Sequence, residues 1–201
     1  MAMTALFAGA ASADAAPKTI LAFGDSLTAG YGLARSESFA SQLEARLKKE
    51  GLPITVINGG VSGDTTAGGL RRLDYALRKN PDVVILELGA NDMLRATHPD
   101  VTRANLEKML DTLKARKIPV LLAGMRAFSN LPQLDAAYVA MYRDLARKYD
   151  AILYPFFLEG VAGNAALNLE DGVHPTADGI AVIVEKILPS VAQLLTKTKS
   201  E

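Results

Sequence analysis

Gly24-Asp25-Ser26-Leu27 follows directly on a short apolar run, and Asp171-Gly172-Val173-His174 lies near the other end of the chain. Serine, histidine and aspartate are the parts of a nucleophilic triad. A serine hydroxyl is a poor nucleophile until a base within hydrogen-bond reach takes its proton. The chain has 2 histidines, and one of them closes the second motif, so His174 is the candidate base for Ser26. Asp171 can accept from its Nδ1–H if the segment turns once. Pro175 disfavours helical backbone at His174, which places it at a loop end just before a helix. His98, ahead of Pro99 and Asp100, reads as a solvent-facing loop residue.

Acyl chemistry at a serine also needs donors fixed in advance where negative charge develops. The candidates are the backbone N–H of Ser26, the backbone N–H of Gly63 in Ser62-Gly63-Asp64-Thr65, and the side-chain amide of Asn91 in Gly89-Ala90-Asn91-Asp92. Taken singly, each motif has a plainer reading. Gly-Asp-Ser also makes a turn or helix cap, and Asn91-Asp92 also shapes a turn. The Gly59–Gly63 loop could be a tight turn or a weak phosphate cradle. It lacks the lysine of a P-loop and the spacing of a dinucleotide fingerprint.

The elements that must position these residues alternate strand and helix. Apolar runs at Thr19–Phe23, Ile54–Asn58, Val83–Leu88, Val120–Met125 and Ala151–Tyr154 read as five strands. Helices are expected over Ser38–Glu50, from Thr65 or Thr66 to about Lys79, along Leu106, Met109, Leu110 and Leu113, over Gln133–Tyr149, and over Thr176–Leu195 with a possible kink or break at Pro189. This alternation predicts an α/β fold: a three-layer α/β/α sandwich on a five-stranded parallel flavodoxin-like sheet of order 2-1-3-4-5. Every unusual polar loop follows a strand, on the side where open parallel sheets bind ligands. Four motifs on one side of one sheet carry more weight than any one of them.

Composition narrows the rest. The 201 residues carry 22 Lys+Arg against 22 Asp+Glu, so no positive field invites nucleic acid. Cysteine is absent, which excludes disulfides and thiolate chemistry. Residues 1–17 are Ala-rich and end in Ala11-Ser12-Ala13 and Ala13-Asp14-Ala15, like a signal-peptide cleavage region without its basic start. The expectation is a leader over 1–17, a catalytic domain over 18–201 and a periplasmic or secreted location. No other stretch reads as long and apolar enough to span a bilayer.

At these residues the sequence resembles the SGNH hydrolases, also called the GDSL family. Gly24-Asp25-Ser26-Leu27 resembles the first block, Gly63 the oxyanion glycine of the second, Asn91 the oxyanion asparagine of the third, and Asp171 with His174 the last. Gly124-Met125-Arg126 and Tyr154-Pro155-Phe156-Phe157 add a similarity to bacterial arylesterases and to the periplasmic multifunctional thioesterase/lysophospholipase. The resemblance implies hydrolysis of esters and thioesters through an acyl-serine, with neither metal nor cofactor. Thr28 stands where a Gly-x-Ser-x-Gly elbow would have its second glycine, so Ser26 is expected on a looser turn. Asp25 is expected to organise that turn. Substrate walls are expected from Leu27, from Met93 and Leu94 in the 93–97 loop, and from Arg126 and Phe128 around the 127–134 loop. Their apolar, glycine-poor content favours short-to-medium aryl or alkyl esters. The partner is then a small-molecule ester, and the protein a monomer or small homo-oligomer. The rivals are a polysaccharide O-acetyl esterase and a non-catalytic binding module on the same scaffold.

Overall fold

The computed structural model describes residues 18–127 and 130–197. Five parallel strands form one sheet: β1 (Lys18–Gly24), β2 (Ile54–Asn58), β3 (Val83–Glu87), β4 (Val120–Ala123) and β5 (Ile152–Tyr154). Their order is β2-β1-β3-β4-β5, the flavodoxin-like order expected. β1 pairs on both sides, Ile20 facing Val56 and Val83. β3 and β4 are buried along their whole length, as strands covered on both faces must be. β2 is an edge and alternates buried with exposed. Its outward Val56 N–H is occupied by Glu44 Oε2 at 2.7 Å, which takes one donor of that edge out of reach of another strand.

Seven helices are described: α1 (Ser26–Ala29), α2 (Phe39–Lys49), α3 (Thr66–Ala76), α4 (Ala90–Leu94), α5 (Pro99–Ala115), α6 (Pro132–Tyr149) and α7 (Ala177–Thr196). α2 and α7 pack together on one face, and α3, α5 and α6 form a row on the other. The starts follow side-chain caps: Ser38 accepts from Ser41 N, Thr65 from Gly68 N, Thr176 from Gly179 N. α2 buries Phe39, Leu43 and Leu47, one face at helical spacing.

Several expectations need correction. β3 and β4 stop at Glu87 and Ala123, earlier than their apolar runs. Gly89 to Asp92 is not a loop: it leads into α4. Helix α7 does not break at Pro189 but runs through it to Thr196. Pro189 lies on the solvent face, where the carbonyl it leaves without a donor can meet water. By length and composition α7 is also apolar enough to cross a bilayer, with a mean hydropathy of 1.5. It is a core helix instead, with Ile180, Ile183, Val184, Ile187, Leu188, Val191 and Leu194 turned inward and Glu185 and Lys186 outward. The leader at 1–17 lies outside the described residues.

Candidate active site

β1 ends at Gly24 and the chain turns at once into α1. Asp25 caps this single turn, its Oδ1 accepting from Leu27 N at 3.0 Å. Gly30 closes it in the left-handed region, φ 84°, its N–H donating to Ser26 O. Ser26, expected on a loose turn, is therefore the first residue of a short helix, because a cap stands at one end and a glycine at the other. Ser26 is only 9% exposed.

The imidazole arrives from the opposite end of the chain. His174 Nε2 lies 2.9 Å from Ser26 Oγ, and His174 Nδ1 lies 2.7 Å from Asp171 Oδ2. The spacing of three works because the segment turns around the carboxylate: Asp171 Oδ1 accepts from both Val173 N and His174 N at 2.9 Å. Those backbone donors, and then the imidazole, hold the Asp171 carboxyl down to about 2. It is thus a carboxylate, oriented to fix the imidazole tautomer. The loop is pinned behind by Leu169 N on His174 O at 2.7 Å. The Tyr31 ring rests against the imidazole, centroids 4.5 Å apart.

α4 carries two neighbours with opposite duties. Asn91 Nδ2 donates to Asp25 Oδ2 at 3.1 Å and borders the same cavity as Ser26. Asp92 is buried and accepts from Thr66 N at 2.8 Å and from Thr66 and Thr102 hydroxyls, tying α4 to α3 and α5. Gly89 opens this turn at φ 129°, where a Cβ would strike the Tyr142 hydroxyl at 2.2 Å.

A cavity of about 930 Å³ opens over the serine. It brings together Ser26, His174, Asn91, Asp25, Leu27, Met93, Leu94 and Arg126. Met125, Leu131, Leu134, Phe156 and Leu158 complete an apolar wall. Asp171 stands behind His174. Gly63 does not border the cavity; it sits at φ 78° in the loop after β2, its carbonyl taken by Arg95 Nη2 at 2.7 Å. Phe128 lies outside the described residues. Arg126, expected to meet substrate, is engaged by Asp135 through two nitrogens, at 2.8 and 2.6 Å. Asp135 also accepts from Ala127 N, so it ties Arg126 and Ala127, both on the cavity wall, to α6. His98 is exposed and caps α5 through Nδ1.

Sequence reasoning missed four contributors. Tyr31 acts through a contact distant in sequence, with His174, and Asp135 through contacts with Arg126 and Ala127 that no motif marks. Arg72 binds the carbonyls of Gly24 and Gly59 and the Asp64 carboxylate, clamping the ends of β1 and β2 under the site. Glu87 is fully buried beneath α1, and its signal was visible: an acid inside an apolar run.

A hydroxyl, an imidazole and a carboxylate in one hydrogen-bonded line, opening on an apolar cavity at the carboxyl ends of a parallel sheet, form the working arrangement of a serine hydrolase. The GDSL-like lipase/acylhydrolase family model matches residues 22–182. The chain is 38% identical to esterase TesA of Pseudomonas aeruginosa, over 90% of this chain and 92% of that one. It is 38% identical to an arylesterase of Vibrio mimicus, over 96% and 95%. It is 35% identical to thioesterase 1/protease 1/lysophospholipase L1 of Escherichia coli K12, over 85% and 82%. Among solved structures, the SGNH-hydrolase family esterase AlinE4 superposes with a TM-score of 0.75 at 47% identity, covering 90% of this chain and 98% of that one. The psychrotrophic esterase EstA from Pseudoalteromonas sp., inhibited by monoethylphosphonate, superposes with a TM-score of 0.84 at 30% identity, covering 89% and 99%. The chain belongs to the GDSL-like lipase/acylhydrolase family and is a carboxylic ester hydrolase.

Proposed function

We propose that Ser26 is the nucleophile of this hydrolase, His174 its general base and acid, and Asp171 the group that orients His174. The observation that carries this reading is the line Asp171 Oδ2 to His174 Nδ1 to Ser26 Oγ, at 2.7 and 2.9 Å. Ser26 Oγ adds to the acyl carbonyl as its proton passes to His174 Nε2. The proton then goes to the leaving alcohol or thiol, and an acyl-serine remains. Water, deprotonated by the same imidazole, releases the acid and restores the serine. The oxyanion is held by Ser26 N–H, the Asn91 amide and the Gly63 N–H. For Asn91, the contact with Asp25 uses one amide hydrogen and leaves the second for the reacting oxygen. Gly63 joins this set by resemblance, and its loop must bring its N–H toward the bound ester.

The acyl group occupies the apolar cavity against Met93, Leu94, Leu131 and Phe156. Its size suits a drug-sized or lipid-like ester. The substrates are short-to-medium aryl and alkyl esters, with thioesters and lysophospholipids as further members of the class. This range is supported by the arylesterase and thioesterase/lysophospholipase relatives. The Ala-rich leader over 1–17 supports export to the periplasm or beyond, ahead of a catalytic domain over 18–201.

The test is hydrolysis of p-nitrophenyl esters from acetate to dodecanoate by the parent and by Ser26→Ala. Turnover in the parent alone, and covalent capture of the parent alone by an alkyl phosphonate, are the expected results. Turnover that survives in Ser26→Ala would overturn the mechanism. Activity confined to acetylated polysaccharide would move the substrate class away from the apolar cavity.

A further inference from the structure

Glu87 ends β3, the central strand, and its side chain is fully buried. Its Oε2 accepts from Thr28 Oγ1 at 2.7 Å and from Asp25 N at 3.3 Å. Both donors belong to the nucleophile turn: Asp25 is its cap, Thr28 its third residue, and Ser26 lies between them. A Cβ on Gly24 would come 2.4 Å from Glu87 Oε2 and 2.2 Å from Thr28 Oγ1. Glycine there keeps open the space in which the Glu87–Thr28 bond forms. Asp25 carries the contacts onward, with Oδ1 taking Leu27 N and Oδ2 taking the Asn91 amide. One buried network thus runs from the sheet to the nucleophile turn and to the amide that borders the same cavity.

Packing alone would be served by an apolar side chain at this position, since desolvating an acid is costly. What the acid adds is one rigid acceptor for two donors of the turn. Burial drives its carboxyl well above the ordinary range, and charge on Asp25 adds to the rise. Burial thus disfavours the charged form of this acid. Among the described residues, Glu87 Oε1 meets no hydrogen-bond partner. A glutamine can take this place with its carbonyl oxygen toward Thr28 and its amide where Oε1 stands.

We propose that Glu87 is a positioning residue for ester hydrolysis. From the sheet it fixes the nucleophile turn through Thr28 and Asp25, and through Asp25 it aligns the Asn91 amide. The inference rests on the reading of Ser26 as nucleophile. Glu87 does not border the cavity, so its loss should misplace the reacting groups and leave substrate binding alone.

The experiment measures kcat, KM and the unfolding midpoint with p-nitrophenyl butyrate for the parent, Ser26→Ala, Glu87→Leu, Glu87→Gln, Thr28→Val and Thr28→Ser. Glu87→Leu should lose about 10- to 100-fold in kcat, the scale of an ångström misplacement, with KM within about twofold. Glu87→Gln should recover kcat to within about threefold of the parent, because the acceptor is restored. Thr28→Val should fall in kcat and Thr28→Ser should recover. If Glu87→Leu does not fold, the Thr28 pair decides by the same split. The proposal is overturned if Glu87→Leu or Thr28→Val keeps the parent kcat, if the loss falls equally on KM, or if Glu87→Gln is as impaired as Glu87→Leu. With the parent active and Ser26→Ala silent, any of these outcomes counts against Glu87 alone. A silent parent or an active Ser26→Ala overturns both readings.

Discussion

The proposed nucleophile and its proposed base are held in opposite ways. Ser26 stands on a turn whose supports are buried: Asp25, Thr28 and Glu87 are each no more than 1% exposed. His174 stands on a loop held by short-range backbone bonds around Asp171, a carboxylate whose side chain is 41% exposed. The first arrangement uses the core as its anchor and carries the cost of desolvating two acids. The second uses mainly the local shape of the chain, with the Tyr31 ring against the imidazole. Changes under the serine should therefore couple activity to stability, and changes around the histidine should move stability less for a similar loss of activity.

The sharpest way to break the comparison is at the two reacting groups. Ser26→Ala and His174→Ala should each lower kcat by about 10⁴-fold or more with unchanged unfolding midpoints, as read by ester turnover and urea titration. Asn91→Ala should cost about 10²–10³ in kcat, the scale of one oxyanion donor, and should shift KM little. A loss seen only in KM would remove Asn91 from the oxyanion site.

The buried side has its own pH signature. Burial pushes Asp25 up from 3.8 to about 6. The folded chain therefore binds this proton more tightly than the unfolded chain does. Its contribution is most favourable below about pH 4 and declines as pH rises to about 6, by at most about 3 kcal/mol. Asp25→Asn should remove that decline from urea titrations run at pH 4 and pH 7. An identical pH slope in parent and variant would mean that the carboxyl is not desolvated as described. The exposed side should respond least. Tyr31→Ala removes one ring contact, worth about 0.5–1.5 kcal/mol, and should lower kcat/KM by about 2- to 10-fold with a stability loss no larger than that contact.

The sheet was legible because its strands are apolar runs of strand length and its long helices repeat apolar residues at helical spacing. α1 and α4 were not legible, since four or five residues hold no period to read. Ser26, Asn91, Asp171 and His174 stood out because polar motifs gathered after strands. Their supports did not. Arg72 and Tyr31 work through contacts made only once the chain has folded, and neither lies in a motif. Glu87 was read as one more residue of a strand, although its charge was out of place there. Arg126 looked like a substrate contact because nothing in its own segment announced Asp135 as its partner.

α7 is a core helix, capped by Thr176 two residues after His174. On the ribosome it is made after every other described element, so the faces of α2 and β5 that it covers wait unprotected until it arrives. The imidazole, two residues ahead of the Thr176 cap, comes into register with Ser26 only as α7 docks. A chain stalled before His174 would thus carry Ser26 without its partner. Hydrolysis would begin only when the last layer closes.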